Sequence, residues 1–563
     1  MLDTPFPRST APRSPALARA LLVLACALLA PAVAHAQWPS PTTGLPICTA
    51  AGSQSYRMAI SDGAGGMFVA WSDTRFVLAD IYVQHVSAGG SNLWAGNGAI
   101  VCSASSRQDQ PVLVSDGAGG VVIAWRDFRM DTEGDIYAQR VNSNGATVWP
   151  YNGVAVCTAT AQQNMPVIAA DSAGGVVIAW EDYRDSPRVY AQRLDASGTP
   201  LWAANGTPVT TSLAAQYEPV IVTGGAFGTV LAWSQRGLAD YDIEAEFLGH
   251  DGQPLWDPAG VPVCTATGDQ FHPIAVSDSA GGAWFAWEDV RGRSIGVYAQ
   301  RVTLTGFTVL AYGGLPVCTV DADQTAPVAV ADGRGGMIVG WQDARLKDDV
   351  YAQRLDATGA RLWPATGAVV CNVYGSHSFP AIAGDGRGGA MLVWEDERTG
   401  QGTDIYAQRL DSLGVQAWTV GGLGACTASF NQFQPYVVSS PDTVGIVAWV
   451  DLRGSNDLYC ERIPFTTTAP SNSVALMASP NPASRQVTFA FADPQTGRAL
   501  LTIYDASGRR VRTLEHTALA GGAPQIRWDA RDDSGRTCAE GVYFARLAVD
   551  GRAVASRSIT IVR

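Results

Sequence analysis

The sequence predicts an all-β protein, an eight-bladed β-propeller over residues 37–463 followed by a small β-sandwich over residues 474–563. Two observations carry the propeller. A tryptophan closing an apolar run recurs at Trp71, Trp125, Trp180, Trp233, Trp287, Trp341, Trp394 and Trp449, at intervals of 53 to 55 residues. A fixed period of that length marks an array of supersecondary units. The array also begins and ends out of phase. The eighth copy stops at Arg462 without a fourth strand, while Gln37-Trp38 and Cys48 stand at the start with no third strand before them. The N-terminus is therefore expected to complete the last blade, close the ring and remove an exposed sheet edge.

One repeat shows the blade. Gln110-Pro111-Val112-Leu113-Val114-Ser115 is an extended run, and Asp116-Gly117-Ala118-Gly119-Gly120 is a turn. Val121-Val122-Ile123-Ala124-Trp125 is a second run, apolar on both faces, as a doubly buried strand requires. Asp135-Ile136-Tyr137-Ala138-Gln139-Arg140-Val141 alternates polar and apolar residues as a third strand, and Asn142-Ser143-Asn144-Gly145 turns the chain into Thr147-Val148-Trp149, predicted as a fourth. A second tryptophan recurs eight residues before a cysteine, as in Trp94/Cys102, Trp149/Cys157, Trp256/Cys264, Trp363/Cys371 and Trp418/Cys426. Four antiparallel strands per repeat is propeller arithmetic. The fourth copy, around Trp233, is degenerate but in register.

The N-terminus reads as an export signal. Arg8, Arg13 and Arg19 precede an apolar stretch over residues 20–34, and Ala34-His35-Ala36 is a small-x-small cleavage signature, so residues 1–36 are expected to be removed. The stretch is too short for a membrane span, and no other segment is long and apolar enough to be a transmembrane helix of the mature chain. Charge is divided unevenly. Residues 37–463 carry 23 Lys+Arg against 42 Asp+Glu, whereas residues 464–563 carry 12 against 8. So acidic a main domain argues against nucleic acid and against anionic membranes as partners. Lys347 is the sole lysine, which leaves Schiff-base chemistry and phosphate-gripping lysines a single unsupported candidate.

Four polar features recur in the repeat, and each is weighed first as scaffold. After the main tryptophan comes Asp-x-Arg, at Asp73/Arg75, Asp127/Arg129, Asp182/Arg184, Asp289/Arg291, Asp343/Arg345, Asp396/Arg398 and Asp451/Arg453, broken in the fourth copy by Gln235-Arg236. A ring of Trp, Asp and Arg is chemically able to hold sugars, so these fourteen residues are the ligand-ring candidates. A motif needed once per blade is nevertheless most simply explained by building the blade. A glutamine six residues past the cysteine, at Gln54, Gln108, Gln163, Gln216, Gln270, Gln324 and Gln432, is replaced by His377 in the seventh copy and reads as a cap on backbone groups. In the Tyr-Ala-Gln-Arg strand, His85 stands for the arginine of the first copy. Cys48, Cys102, Cys157, Cys264, Cys318, Cys371 and Cys426 share one position with Thr210. Seven cannot pair among themselves and threonine cannot be half a bridge, so small buried side chains are expected. No Cys-x-x-Cys spacing occurs, the mature histidines are scattered singly, and neither a metal nor a cofactor is expected.

Catalysis on a propeller needs groups that the other blades do not share. The asymmetric candidates are Glu244 and Glu246 in the fourth blade, His272, His377 and the acidic loop Asp131-Thr132-Glu133, on loops that are short in every copy. No catalytic residue is assigned on that basis. The glycine-rich turn has a faint likeness to the sialidase Asp-box, but its Asp lies nine residues before the tryptophan and the Ser-x-Asp-x-Gly-x-x-Trp spacing is absent.

Residues 464–473 are a polar linker. Beyond it stand Ser479-Pro480-Asn481-Pro482, then Leu501-Thr502-Ile503-Tyr504-Asp505-Ala506-Ser507-Gly508-Arg509-Arg510-Val511-Arg512, Trp528-Asp529-Ala530-Arg531-Asp532 and Gly541-Val542-Tyr543-Phe544-Ala545-Arg546. In this order they closely resemble the FlgD-like immunoglobulin-like domain, and are similar to the C-terminal sorting domains of type IX secretion substrates. The repeat region resembles bacterial exported propellers. The resemblance implies a Gram-negative-type bacterial protein delivered outside the cell or to the outer-membrane surface, its tail engaging the secretion machinery or acting as a structural module. The expected function is a surface or secreted propeller binding a glycan or protein ligand. The alternatives are a carbohydrate-active enzyme, sialidase-like or another glycosidase, and a structural protein of the envelope.

Overall fold

The computed structural model describes residues 38 and 43–562, except 401, 441–443, 466–476, 480–482, 491–497, 506–508, 518–524 and 550–551. The expected export signal, most of the expected linker and the Pro480-Asn481-Pro482 motif lie outside the described residues.

Eight four-stranded antiparallel sheets follow one another along the chain. In blade 2 the strands are Gln108–Ser115, Val121–Asp127, Asp135–Val141 and Val154–Cys157, running from the inner strand to the outer. Each inner strand neighbours the inner strand of the next blade, and the first, Gln54–Ser61, neighbours the eighth, Gln432–Ser440. The ring is closed. Its seam is the one read from the out-of-phase ends: Leu45–Cys48 is the outer strand of blade 8, paired antiparallel with Asp457–Pro464 through Leu45↔Cys460 and Pro46↔Tyr459.

The outer strand is displaced from its expected place. Thr147 makes only an isolated bridge to Val141, and the ladder resumes at Val154–Cys157, seven residues further on. The intervening tryptophan serves a different purpose. Trp149 Nε1 donates to Ala196 O of blade 3 at 3.1 Å, and the same bond links Trp94 to Ser143, Trp256 to Leu304 and Trp38 to Ala88. Each such ring lies against a glycine of the next blade's turn. Gly198 (φ 84°) shows why: a Cβ there would sit 2.8 Å from the Trp149 ring. These tryptophans therefore staple consecutive blades, and Trp38 staples blade 8 to blade 1.

The second strands form the core. Val176–Asp182 is buried at every position, and hydrophobic clusters alternate between neighbouring blades, for example Ile136 and Val156 with Ile178 and Trp180. The turn aspartates hold the third strands. Asp116 Oδ1 accepts from the backbone N–H of Ala118 and Gly120, while Asp116 Oδ2 accepts from Arg140 Nε at 3.0 Å. In blade 1 His85 takes that place, its Nε2 2.9 Å from Asp62. In blade 4 both partners are gone together: Gly224 replaces the aspartate and Phe247 the arginine, and a Cβ on Gly224 would meet the Phe247 ring at 2.6 Å. An ion pair has been exchanged for an apolar contact, which costs a buried site little when both members change.

The tail is a second all-β unit. Met477–Ser479, Val487–Ala490 and Gln525–Trp528 form one sheet, and Arg510–Thr517, Arg498–Asp505, Gly541–Val549 and Arg552–Ile561 form the other. Trp528, Val487, Phe489, Leu501, Ile503, Leu547 and Ile559 fill the space between them.

Candidate functional site

In an antiparallel blade the start of the inner strand, the end of the second, the start of the third and the end of the outer strand share one face of the ring. The Gln, Asp-x-Arg and Cys positions all lie there. Each Asp of the motif is fully buried. Asp127 Oδ2 accepts from Trp125 Nε1 at 2.7 Å and from Arg129 Nη2 at 2.6 Å, while Oδ1 accepts from the backbone N–H and Nε of Arg129, both at 2.9 Å. Arg129 also donates to Asn152 O, contacts Cys102 Sγ of blade 1 at 3.0 Å and stacks 3.9 Å above Tyr137. The same bidentate pairing recurs at Asp73/Arg75, Asp182/Arg184, Asp289/Arg291, Asp343/Arg345, Asp396/Arg398 and Asp451/Arg453. Both carboxylate oxygens are thus occupied within the fold, in a latch that joins two blades.

The cysteines are free and buried, and burial pushes Cys102 and Cys157 up to about 12, which leaves them as unreactive thiols. The glutamines cap the loop before the inner strand; Gln108 Nε2 donates to Ser106 O at 3.0 Å. His377 fills that place in blade 7, fully buried, with Nδ1 3.3 Å from Asp349 and Nε2 3.5 Å from Asp396. Burial opposes its charge, but the bonds to Asp349 and Cys371 outweigh it and raise its pKa to about 10. Cys371, His377 and Asp396 bring ligand-type atoms within 4.8 Å of one another. Trp394 Nε1 and Arg398 already occupy Asp396, and Arg398 Nη2 also reaches Cys371 Sγ at 3.6 Å. Arg398 thus already engages two of the three groups.

Glu244 and Glu246 lie on the third strand of blade 4, at the positions held elsewhere by the tyrosine and glutamine of Tyr-Ala-Gln-Arg. Burial raises Glu244 to about 8, with Asp242 adding to it. Glu246 Oε1 accepts from the N–H of Phe247 and Trp256, as Gln139 Oε1 does from Arg140 and Trp149. Gln139 Nε2, however, donates to Pro150 O, whereas Glu246 Oε2 is buried with no partner. Burial pushes Glu246 up to about 7, and Glu461, in the same position of blade 8 and likewise with an unpartnered Oε2, up to about 7. A carboxyl whose folded pKa is raised stabilises fully below its unfolded value and loses that contribution as pH rises through the folded one. Asp135, pushed up by burial to about 7, acts in the same direction. Stability is therefore expected to fall between about pH 4.5 and 8. The double substitution E246Q/E461Q restores the amide donor; thermal melts from pH 5 to 8 should show it stabilised by about 1–3 kcal/mol at pH 8, with a flatter profile. Unchanged melts at both ends would exclude this account.

The asymmetry lies where the inner and second strands of blades 3 to 5 meet: Glu218 and His272 are on inner strands, Glu181 and Glu288 on second strands. Each inner strand carries a bulge, and in blades 2 to 8 the non-glycine residue two places after the glutamine, or after His377 in blade 7, has left-handed backbone: Gln110 (φ 53°), Met165 (49°), Glu218 (55°), His272 (52°), Ala326 (50°), Phe379 (49°) and Gln434 (52°). Such backbone is costly for these residue types and must be held by its surroundings. The preceding blade supplies the hold. Glu181 accepts the Glu218 N–H at 2.7 Å, Glu218 the His272 N–H at 2.8 Å, Glu288 the Ala326 N–H at 2.8 Å and Glu395 the Gln434 N–H at 2.6 Å. The remaining oxygens of two of these glutamates face one ring. His272 Nε2 lies 3.3 Å from Glu218 Oε1, its Nδ1 3.3 Å from Glu288 Oε2, and its side chain is 57% exposed. Beside them Glu181, raised by burial, accepts from Tyr183 Oη at 2.9 Å, and Tyr217 and Tyr241 meet edge to face at 6.0 Å. His272 was legible as an outlier in the sequence; Glu218 and Glu288 were not, because only the bulge and the blade-to-blade packing bring them to it.

Comparison with known proteins adds the following. Residues 482–551 match the family model of the FlgD Ig-like domain. The FlgD-like tail is thus supported independently of its two sheets. No curated protein matches the chain. Among solved structures the chain is similar to an ulvan lyase, at 10% identity and TM-score 0.39, covering 73% of this chain and 94% of that one. It is also similar to a Hadza microbial sialidase, at 10% identity and TM-score 0.35, covering 70% and 75%. A prolyl endopeptidase matches at 9% identity and TM-score 0.36 over 81% of this chain, which spans about half, 53%, of the endopeptidase. None of these likenesses assigns an activity.

Proposed function

We propose that this chain is an exported or surface-held propeller that binds a glycan at the channel mouth over blades 3 to 5, with the FlgD-like tail as its sorting or anchoring module. The observation that carries the reading is the Glu218–His272–Glu288 array. It is an exposed polar group bridging two carboxylates on consecutive blades, at strained backbone, where the shared latches leave no free oxygens. Carboxylate oxygens accept from sugar hydroxyls, and the half-buried rings of Tyr217, Tyr241 and Phe271 offer apolar faces for pyranose rings. The Asp-x-Arg pairs then serve as scaffold rather than as the ligand ring. No helix among the described residues is long and apolar enough to cross a membrane, so surface retention falls to the tail.

A second reading rests on the same array. An imidazole between two carboxylates is a general acid–base arrangement, which suits a carbohydrate-active enzyme. One experiment separates the two. The chain from Gln37 onward is applied to a broad glycan array, scored for retention and for cleavage, alongside E218Q and H272A. Binding predicts retention weakened at least tenfold in both variants, with no cleavage. Cleavage lost in the variants makes the protein an enzyme. Retention unchanged by both substitutions removes the site, and unaltered surface retention of a chain lacking residues 474–563 removes the role of the tail.

A further inference from the structure

Next to the carboxylates, blade 2 reverses the charge. The second-strand residue between Trp and Asp is Glu181, Glu288 or Glu395 in blades 3, 5 and 7, but Arg126 in blade 2, and Arg107 stands one residue before Gln108, where no other repeat has a cation. Both guanidinium groups lie over the ring of Phe128, Arg107 at 4.2 Å and Arg126 at 4.9 Å. A single buried carboxylate, Asp109, serves them. Arg126 binds it twice, at 2.8 and 3.0 Å, and Arg107 pairs with it through Nε at 3.2 Å. Asp109 thus offsets one positive charge of two. Arg107 is 53% exposed and keeps both Nη groups available for a ligand. Together with Phe128, Thr132, Glu133 and Tyr183 the two arginines line an open cavity of about 460 Å³, the size of a small-ligand cleft. Glu133, exposed on the rim, is solvated and screened.

The cavity is wired to the proposed glycan site. Arg126 Nη1 donates to Asn164 Oδ1 at 3.3 Å, Asn164 Nδ2 donates to Glu181 Oε2 at 3.5 Å, and Tyr183, which lines the cavity, donates to that same oxygen. The geometry points to an anion subsite: we infer that the ligand is an acidic polysaccharide whose carboxylate or sulfate group is held by Arg107 and Arg126 while neighbouring sugar units meet the glutamates of blades 3 to 5. A guanidinium stacked on an aromatic ring presents its in-plane N–H groups as a fork that fits a planar carboxylate or a sulfate edge. The carboxylates of blades 3 to 5 repel that same anionic group, so the charge reversal also fixes the direction in which the chain of sugars lies. This inference rests on the glycan-binding reading.

The test is calorimetric titration of the chain from Gln37 onward with three probes: an oligogalacturonate, the same oligomer after carboxyl reduction, and a sulfated galactan oligosaccharide. The anionic probe is expected to bind at least tenfold tighter than the reduced one, with a difference that shrinks as salt is raised. R107A should abolish that preference and R107K retain part of it, with thermal melts unchanged because Asp109 keeps Arg126. Preference for the uronate or for the sulfate ester names the source of the anion. Equal affinity for acidic and reduced oligomers, or an acid preference that survives R107A, overturns the anion subsite while leaving glycan binding standing. Binding of none of the three overturns both.

Discussion

Asp127→Ala is expected to destabilise the propeller by about 3–5 kcal/mol, because it strips the partner from a buried guanidinium and from a buried indole N–H at once. Asp127 is fully buried and takes four hydrogen bonds from Trp125 and Arg129. Arg129, only 16% exposed, is held in place by Asn152 O and the Tyr137 face and regains little solvation when Asp127 is removed. Arg129→Ala should cost less, since Asp127 retains Trp125. The double variant should fall well short of the sum, as residues of one network do. Blade 4 shows how an amide substitutes: Gln235 Oε1 accepts from Trp233 Nε1 at 3.4 Å and from Gln216 Nε2 at 3.2 Å. Asp127→Asn should therefore be milder than Asp127→Ala. The measurement is a set of denaturant melts on all four variants. Additive costs would mean that Asp127 and Arg129 make independent contacts rather than one unit.

Removal of residues 37–48 should have a still larger effect. It exposes the backbone edge of Asp457–Pro464 and withdraws Ile47 and Cys48, both fully buried, from a cluster that spans the seam with Trp71, Tyr82, Ile446 and Cys460. Arg453 would also lose Thr43 O, and Ala88 O the Trp38 indole. Burial of two such side chains is worth about 3–5 kcal/mol before the edge is counted. The expected outcome is a melting temperature lower by at least 10 °C, together with oligomers on gel filtration, because an unpaired edge is a template for a second chain. A monomer with an unchanged melt would show that the ring needs no such closure. A chain cut instead in the exposed turn after Ser61, with the old termini joined, keeps the strand and should melt near the intact protein.

Much of this protein was legible in the chain. The tryptophan period, the apolar second strands and the missing fourth strand of the last repeat set the blade number, the core and the seam. Each of these depends on local pattern or on repetition, and repetition turns weak local signals into strong ones. The outer strand was misplaced by seven residues because Thr147-Val148-Trp149 looks like a strand, whereas its tryptophan is committed to the neighbouring blade. The same cause hid the candidate site. Glu181, Glu218 and Glu288 stand at ordinary positions of three separate repeats, more than thirty residues apart along the chain. Nothing local distinguishes them from solvated acids. The bulge in the inner strand turns the amide of one blade toward the carboxylate of the last, and the packing of consecutive blades then sets oxygens of Glu218 and Glu288 at His272 and links Arg126 through Asn164 to Glu181. The sequence alone determined the scaffold, because a scaffold repeats. Only the tertiary structure decided where the scaffold is interrupted, because an interruption is made by residues that meet across blades and share no pattern along the chain.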